Sequence, residues 1–321
     1  MKQIHTFFDK TLFNRNNILF LFFLFLITCF LSRLNSNFFL IDILGQLGFQ
    51  IFVSGIFLFF ILLILKKFLA SIIFIFICAL FFADILLSCN RCNAVLKDVL
   101  PSNNKLRLMT INLFYDNPVS NFENIREMIL YEKPDIIQFQ EFSPQMFDKI
   151  KNLKSIFAYS TEINKNMSLL DSVILSKYPL INSRMENYNI IQTSLNVNET
   201  EIVVFGIHLN AQVTPKRFNL ALKQMDYLKT LIENSNKNII LIGDLNMTST
   251  SRRFSNFLKE TNLYTYTSYK NPTSTWPTFL PNFLGLQLEH VLFSKNFKLI
   301  NKKTSNNFGS DHRSLIVDLA F

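Results

Sequence analysis

The chain has 321 residues, 49% of them hydrophobic, with 36 Phe, a net charge of +9 and a mean hydropathy of +0.23. No Lys/Arg-rich run stands out, so charge alone is no ground for nucleic-acid binding, although a mildly basic balance suits a phosphate-bearing partner. The 227 residues after position 94 suffice for one sizeable core.

The apolar excess collects in residues 1–94. Ile18–Leu31, Leu44–Leu65 and Phe68–Leu87 are apolar runs, with Arg15, Arg33 and Lys66-Lys67 at their flanks. A helix of roughly 20 residues crosses the hydrocarbon layer, which predicts three transmembrane helices at about 17–34, 44–65 and 68–87. A cleaved signal peptide is the competing reading of the first run. Lys2, Lys10 and Arg15 precede the first run, and Lys66-Lys67 separate the second from the third. Basic flanks stay on the cytoplasmic side, so three crossings leave the C-terminal part outside. The expectation is a multi-pass protein of the cytoplasmic (inner) membrane, held in the lipid bilayer by its N-terminal helices, with a periplasmic or otherwise extracytoplasmic C-terminal domain. Cys29 and Cys78 lie inside runs, while Cys89 and Cys92 ("CNRC") read as a disulfide or as free thiols, since a second Cys/His pair is missing. Residues 95–104 read as a linker, leaving 105–321 as the globular domain.

In that domain "KLRLMTINLF" (105–114) alternates as a strand, and "SNFE" (120–123) predicts a capping box opening a helix to about Tyr131. "PDIIQFQE" (134–141) is a short apolar strand with a polar end. "SVILSKYPL" (172–180) and "EIVVFGIHLN" (201–210) follow as strands. Thr214-Pro215 opens a helix to about Glu233, with Pro at its first position. "NIILIG" (238–243) is a strand, and a helix near Ser251–Glu260 comes next. "LQLEHVLFS" (286–294), "FKLIN" (297–301) and "HRSLIVDL" (312–319) close the chain as strands. Strands alternate with a few helices and no repeat of fixed period occurs, which is the pattern of an α/β or α+β sheet protein.

Polar groups gather where these strands end. Asn112 ends the first, Glu141 the second and His208 another. Asp244 and Asn246 follow "NIILIG" on one face, because strand side chains alternate. Glu289-His290 interrupts a strand and Ser310-Asp311-His312 precedes the last. Any one of these is an ordinary turn; six at strand ends or edges are hard to assign to turns.

At this point the sequence resembles the endonuclease/exonuclease/phosphatase superfamily, the DNase I-like fold. The pieces "TINLF", "PDIIQFQE", "DSVILSKYPL", "GIHLN", "IGDLN", "LEHVLFS" and "GSDHRSLIVDL" occur in order from about Lys105 to Phe321. With "TWP" (275–277), the chain is similar to bacterial membrane-anchored members. The resemblance implies a four-layer α-β-β-α sandwich, here preceded by the three transmembrane helices, with a metal pocket at one end of the sheets. It implies Mg²⁺, or Mn²⁺, at Asn112, Glu141 and Asp311, a choice that suits a hard cation and oxygen donors. Asp244 would orient or deprotonate the attacking water and Asn246 would hold it or a phosphate oxygen. His208 would stabilise the phosphate or protonate the leaving group, and His312 would contact the phosphate or take a proton from water. The family places Asp where this chain has Glu289, a longer arm for fixing the His312 tautomer, and Asp171 is a second departure. His290, on the opposite strand face, reads as structural. Arg217 and Asn219, at the start of the 215–233 helix, are candidates for reaching a phosphate.

The function implied is a membrane-anchored, metal-dependent phosphoesterase acting on phosphodiesters, either nucleic acid or a phospholipid headgroup, with no protein partner predicted. The alternative is a membrane-tethered binding module with little turnover, motivated by Glu289 in place of Asp.

Overall fold

In a computed structural model the described residues are 15–92, 104–162, 171–235, 238–269 and 272–321. The expected linker falls almost wholly outside them, as do Lys2 and Lys10. The chain divides into two compact units. One runs to Asn90 and includes Thr250–Ser255; the other comprises Arg91–Ser249 and Asn256–Phe321.

The first unit is helical: α1 (Arg15–Ser32), α2 (Phe39–Gln46), α3 (Gly48–Ile64) and α4 (Phe68–Ser88). Among the described residues, only α4 is a single helix long and apolar enough to cross a membrane. The apolar stretch from Asn16 to Ser32 is shorter, and α2 and α3 are bent by 65° at their break. This overturns the three-helix part of the expected fold class and, with it, the multi-pass inner-membrane location and the sidedness that three crossings implied. Apolar composition is continuous through residues 39–64, but the helix is not. Leu47 leaves helical geometry at ψ 15°, and charged groups interrupt the apolar surroundings: Arg33 pairs with Asp84 at 2.6 Å and Asp42 is buried against Gln46. Cys89 and Cys92 are disulfide-bonded, whereas Cys29 and Cys78 are free.

The second unit contains two sheets. The first, in the order β10-β11-β1-β2-β4-β3, is built from β1 (Lys105–Asn112), β2 (Ile136–Gln140), β3 (Tyr159–Ser160), β4 (Ser172–Ser176), β10 (Lys298–Thr304) and β11 (Leu315–Ala320). The second, β5-β6-β7-β8-β9, uses β5 (Ile181–Met185), β6 (Ile191–Val197), β7 (Thr200–His208), β8 (Asn238–Asp244) and β9 (Glu289–Phe293). Each sheet has one parallel pair, β1 with β2 and β7 with β8, among antiparallel neighbours.

Strand alternation sorts the side chains. Leu106, Leu108 and Ile136 join Val204, Ile240 and Ile242 in an apolar cluster shared by both sheets. Met109, Ile111, Ile137 and Phe139 face the other way, into a cluster with α5 (Phe122–Glu132) and α6 (Pro144–Lys151). α7 (Pro215–Glu233) buries Phe218, Met225, Leu228 and Ile232, and α8 (Arg252–Thr261) follows β8. The α/β sheet fold therefore stands where the membrane topology does not.

Local expectations differ in places. The capping box does not form: a short turn, Val119–Asn121, precedes α5, and Asn121 is already helical with no side-chain cap. Thr214 does cap α7, its hydroxyl accepting from the Arg217 N–H at 3.3 Å. β6 and β7 form a hairpin that the sequence does not announce. Its turn residues, Asn198 and Glu199, both have positive φ, the tight turn that matches strand twist, but Asn-Glu lacks the glycine that signals it.

Ile240 is wholly buried between the sheets. Ile240→Ala should cost about 2–5 kcal/mol of unfolding free energy, read by chemical denaturation. A loss of only a few tenths would show that this core collapses freely around the deletion.

Candidate metal-dependent active site

Both parallel pairs end at the same polar cluster. In the first sheet Asn112 and Gln140 are register partners at the ends of β1 and β2, and Glu141 follows at once. In the second, His208 pairs with Asp244 and Asp244 with Glu289, so the three stand side by side across β7, β8 and β9. Register partners share a face, and this one looks toward the first sheet. Glu141 and Asn246 have φ of 51° and 49°, left-handed values that end each strand abruptly at its functional residue.

Hydrogen bonds join the two sheets here. The Asn112 amide donates to Glu141 Oε1 at 2.9 Å and to Asp244 Oδ2 at 3.1 Å. His208 Nε2 lies 3.1 Å from the same Glu141 oxygen. Asp244 Oδ1 accepts the Asn246 N–H at 2.7 Å, and the Asn246 amide donates to Leu209 O at 2.8 Å. His312 Nδ1 meets Glu289 Oε1 at 2.6 Å, so the longer acid does reach the imidazole. Ser310 ties the last motif in: its hydroxyl donates to Asn112 O and accepts the His312 N–H.

The charges are mutually adjusted. Burial drives the Asp244 carboxyl up, and the Glu289 charge drives it further. His312, His208 and the Asn246 N–H pull it back, leaving it at about 6. Burial alone would lower His312, but the charge and hydrogen bond of Glu289, with Asp244 and Asp311, raise it to about 10. Burial likewise opposes a charged His208, and Glu141 and Asp244 outweigh it, so its pKa lies above the ordinary value. Glu141 is destabilised by burial yet held below the usual carboxylate range by His208, Asn112 and His312. Two imidazoles of raised basicity thus face carboxylates shifted in opposite directions.

The arrangement fits a divalent cation. Glu141, His208 and Asp244 form one group whose ligand atoms lie within 4.8 Å of one another, and Asp244, Glu289 and His312 form a second. The donors are mainly oxygens, as a hard cation requires. Asp311, expected beside Glu141, is not in either group. Its Oδ2 accepts the Trp276 indole N–H at 3.1 Å, Oδ1 is 3.9 Å from His312 Nε2, and that buried oxygen has no hydrogen-bond partner. Trp276 and Ser310 are support residues that the sequence marked only as parts of "TWP" and "GSDH". Arg217 and Asn219 are exposed on the first turns of α7, and among the described residues no hydrogen bond joins their side chains to the cluster. His290 is buried at a distance from the reacting face. Its Nε2 meets Met247 O at 2.8 Å, and burial with the Lys302 charge pushes it down to about 3. Asp171 is buried just before β4.

The profile of the Endonuclease/Exonuclease/phosphatase family matches residues 109–312. No curated protein sequence matches the chain significantly. Among solved structures, the catalytic domain of human Nocturnin with bound sulfate superposes with a TM-score of 0.53 at 20% identity, covering 70% of this chain and 96% of that one. An endonuclease/exonuclease/phosphatase from Beutenbergia cavernae gives 0.53 at 16% identity, with 68% and 72% covered. A mutant beta toxin from Staphylococcus aureus with bound magnesium ions gives 0.50 at 17%, with 67% and 99% covered. At these identities the likeness is one of fold.

Glu289→Gln keeps an acceptor for His312 and removes the charge. Because the folded-state pKa of His312 is raised, the stabilisation is complete below the ordinary histidine range and is lost as pH rises through about 10. The variant should be less stable by about 2–3 kcal/mol near pH 6, and the gap should narrow toward pH 9.5 in thermal melts. A gap independent of pH would remove the charge pairing as its source.

Proposed function

The chain belongs to the endonuclease/exonuclease/phosphatase family and is a metal-dependent phosphoesterase, and we propose that it cleaves phosphodiesters with Asp244 as the water-directing base and His208 and His312 as charged donors. One observation carries this reading: Asp244 stands in register between His208 and Glu289 and shares the Asn112 amide with Glu141. The site thus sets a basic carboxylate beside His208, near the Glu289-paired His312 and next to the carboxylate of Glu141.

A divalent cation, when bound, neutralises phosphoryl charge and makes bound water more acidic. Glu141 would hold it, with Asn112 beside it and Asp311 as a further oxygen donor. Asp244, pushed up to about 6, has the basicity to accept a proton from water near neutral pH. Asn246 keeps its carbonyl oxygen and one N–H for water or a phosphate oxygen, since its other N–H goes to Leu209 O. His312, held as an imidazolium by Glu289, donates to a phosphoryl oxygen instead of acting as a base. His208, whose pKa Glu141 and Asp244 raise against its burial, would protonate the leaving oxygen. Arg217 and Asn219 serve at most an extended substrate from the exposed start of α7.

The Glu289–His312 contact removes the motive for a binding module without turnover. Nucleic acid and phospholipid headgroups present the same phosphodiester to this site. Contact with a lipid bilayer is supported by the first unit, whose α4 exposes Leu69, Ile72, Phe76, Leu80 and Leu87 and whose α3 exposes Phe57, Phe60 and Ile64. Residues 105–321 would then be the phosphoesterase domain of a lipid-associated chain.

The purified full chain should hydrolyse bis-p-nitrophenyl phosphate with Mg²⁺ or Mn²⁺, lose activity in EDTA and regain it on re-addition of metal. Asp244→Asn and His312→Ala should each lower kcat by about 10²–10⁴-fold without unfolding; variants as active as the parent would refute the assignment. Supercoiled DNA and phospholipid vesicles, offered in parallel, separate the two substrate classes. Release of the chain from membranes by alkaline carbonate would count against lipid contact.

A further inference from the structure

Gln138 is a polar residue in the wrong place for a core. It lies mid-strand in β2, wholly buried, on the face that looks across to the second sheet. Its neighbours on that face are Ile136 on one side and Gln140 on the other. Its strand partners are Thr110 in β1 and Ile174 in β4, and Ile174 belongs to the apolar cluster between the sheets. Burying an amide there costs free energy unless it is hydrogen-bonded, so its single bond is informative: Nε2 donates to the backbone carbonyl of Ile207 at 3.0 Å.

That carbonyl belongs to the peptide that leads into His208. Opposite Ile207 in the β7–β8 register is Gly243, which leads into Asp244. A strand carbonyl ordinarily pairs within its own sheet; here one accepts a donor from the facing sheet. The local backbone is shaped to allow it. Gly243 has φ of +137°, and a Cβ there would lie 2.0 Å from the Ile207 oxygen and 2.7 Å from Gln138 Oε1. A Cβ on Gly206 would lie 3.3 Å from Gln138 Nε2 and 2.8 Å from Ile174 Cδ1. Gly243 therefore makes room for the Ile207 carbonyl and Gln138 Oε1, and Gly206 chiefly for Ile174, with Gln138 Nε2 beside it.

We infer that Gln138 is a positioning residue for His208 and Asp244. Its amide crosses between the sheets to hold the peptide immediately before His208, and it reaches Asp244 through Gly243, the register partner of Ile207. It touches neither the substrate nor the reacting atoms. It acts by holding the ends of β7 and β8 at a set distance from β2, and hence from Glu141, which stands three residues after Gln138. The 3.1 Å contact between His208 Nε2 and Glu141 Oε1 spans that same gap. Without the amide the two sheets would still pack through Ile136, Ile174, Val204 and Ile242. What slackens is the separation of the catalytic ends. The inference rests on the phosphodiesterase reading only for its kinetic arm.

The test uses the full chain and Gln138→Met, which keeps length and volume and removes both polar ends. With bis-p-nitrophenyl phosphate and Mg²⁺, kcat should fall about 10- to 100-fold, because small misplacement of reacting groups is costly, while KM stays within about twofold. In parallel, hydrogen exchange read by mass spectrometry should show faster exchange confined to peptides covering residues 205–212 and 242–248. An unchanged kcat together with unchanged local exchange would overturn the inference. So would an unchanged kcat with exchange raised throughout the domain, which is the signature of an ordinary core residue. A parent chain with no turnover sinks the phosphodiesterase reading alone, and the exchange pattern then decides Gln138. If Gln138→Met does not fold, Gln138→Asn keeps an amide but shortens it by one methylene, away from the Ile207 carbonyl; the same kcat-selective loss is expected, and parental kcat would overturn the proposal.

Discussion

The site depends on placing the Asp244 carboxylate where water is excluded and a second carboxylate, Glu289, is its strand neighbour. Two buried like charges repel and each loses hydration, so the arrangement is unfavourable on its own. Its compensation comes from groups outside β8 and β9: His312 on Glu289, His208 beside Asp244, and the Asn112 amide from the other sheet. The burial and the repulsion that would destabilise the fold are what raise Asp244 to a useful basicity, and the same negative charge raises the pKa values of His312 and His208.

Meeting that requirement sets the architecture. Parallel pairing of β1 with β2 and of β7 with β8 brings two strand ends in each sheet to the same edge, and side-chain groups at the carboxyl ends of parallel strands are left free for ligands. Packing the sheets face to face then brings Asn112 and Glu141 to His208 and Asp244. The polarity of the interface grades along the strands, from Ile136 through Gln138 and Gln140 to Glu141, so the apolar core and the reactive pocket are opposite ends of one interface.

The helical unit answers to a different constraint. Its exposed faces carry Phe, Leu and Ile, which water does not favour, yet it also holds the half-buried Arg33–Asp84 pair and the buried Asp42. Hydropathy sums register the first property and are blind to the second. They also miss the bend after Gln46, where the backbone leaves helical geometry within an apolar run.

The sequence by itself determined most strands of the sheet domain, though not β3, β5 or β6, together with the polar residues that terminate them and the ordered motifs that carry the family resemblance. Those signals are local: a period of two, a breaker, a carboxylate or histidine at a strand end. The β6–β7 hairpin escaped because Asn198-Glu199 adopts a glycine-like turn without glycine. The capping box at Ser120 failed because the chain is already helical at Asn121. Arg217 and Asn219 share a helix start but not the cluster, and Asp311 turns one oxygen to Trp276. Only the tertiary structure decided that His208, Asp244 and Glu289 stand in one row, that Glu289 is long enough for His312, and that Gln138 reaches Ile207 across the core. These are pairings between residues roughly twenty to seventy positions apart. Strand periodicity says which face a side chain takes, but which strand lies opposite is set by the crossovers and by the packing of one sheet on another.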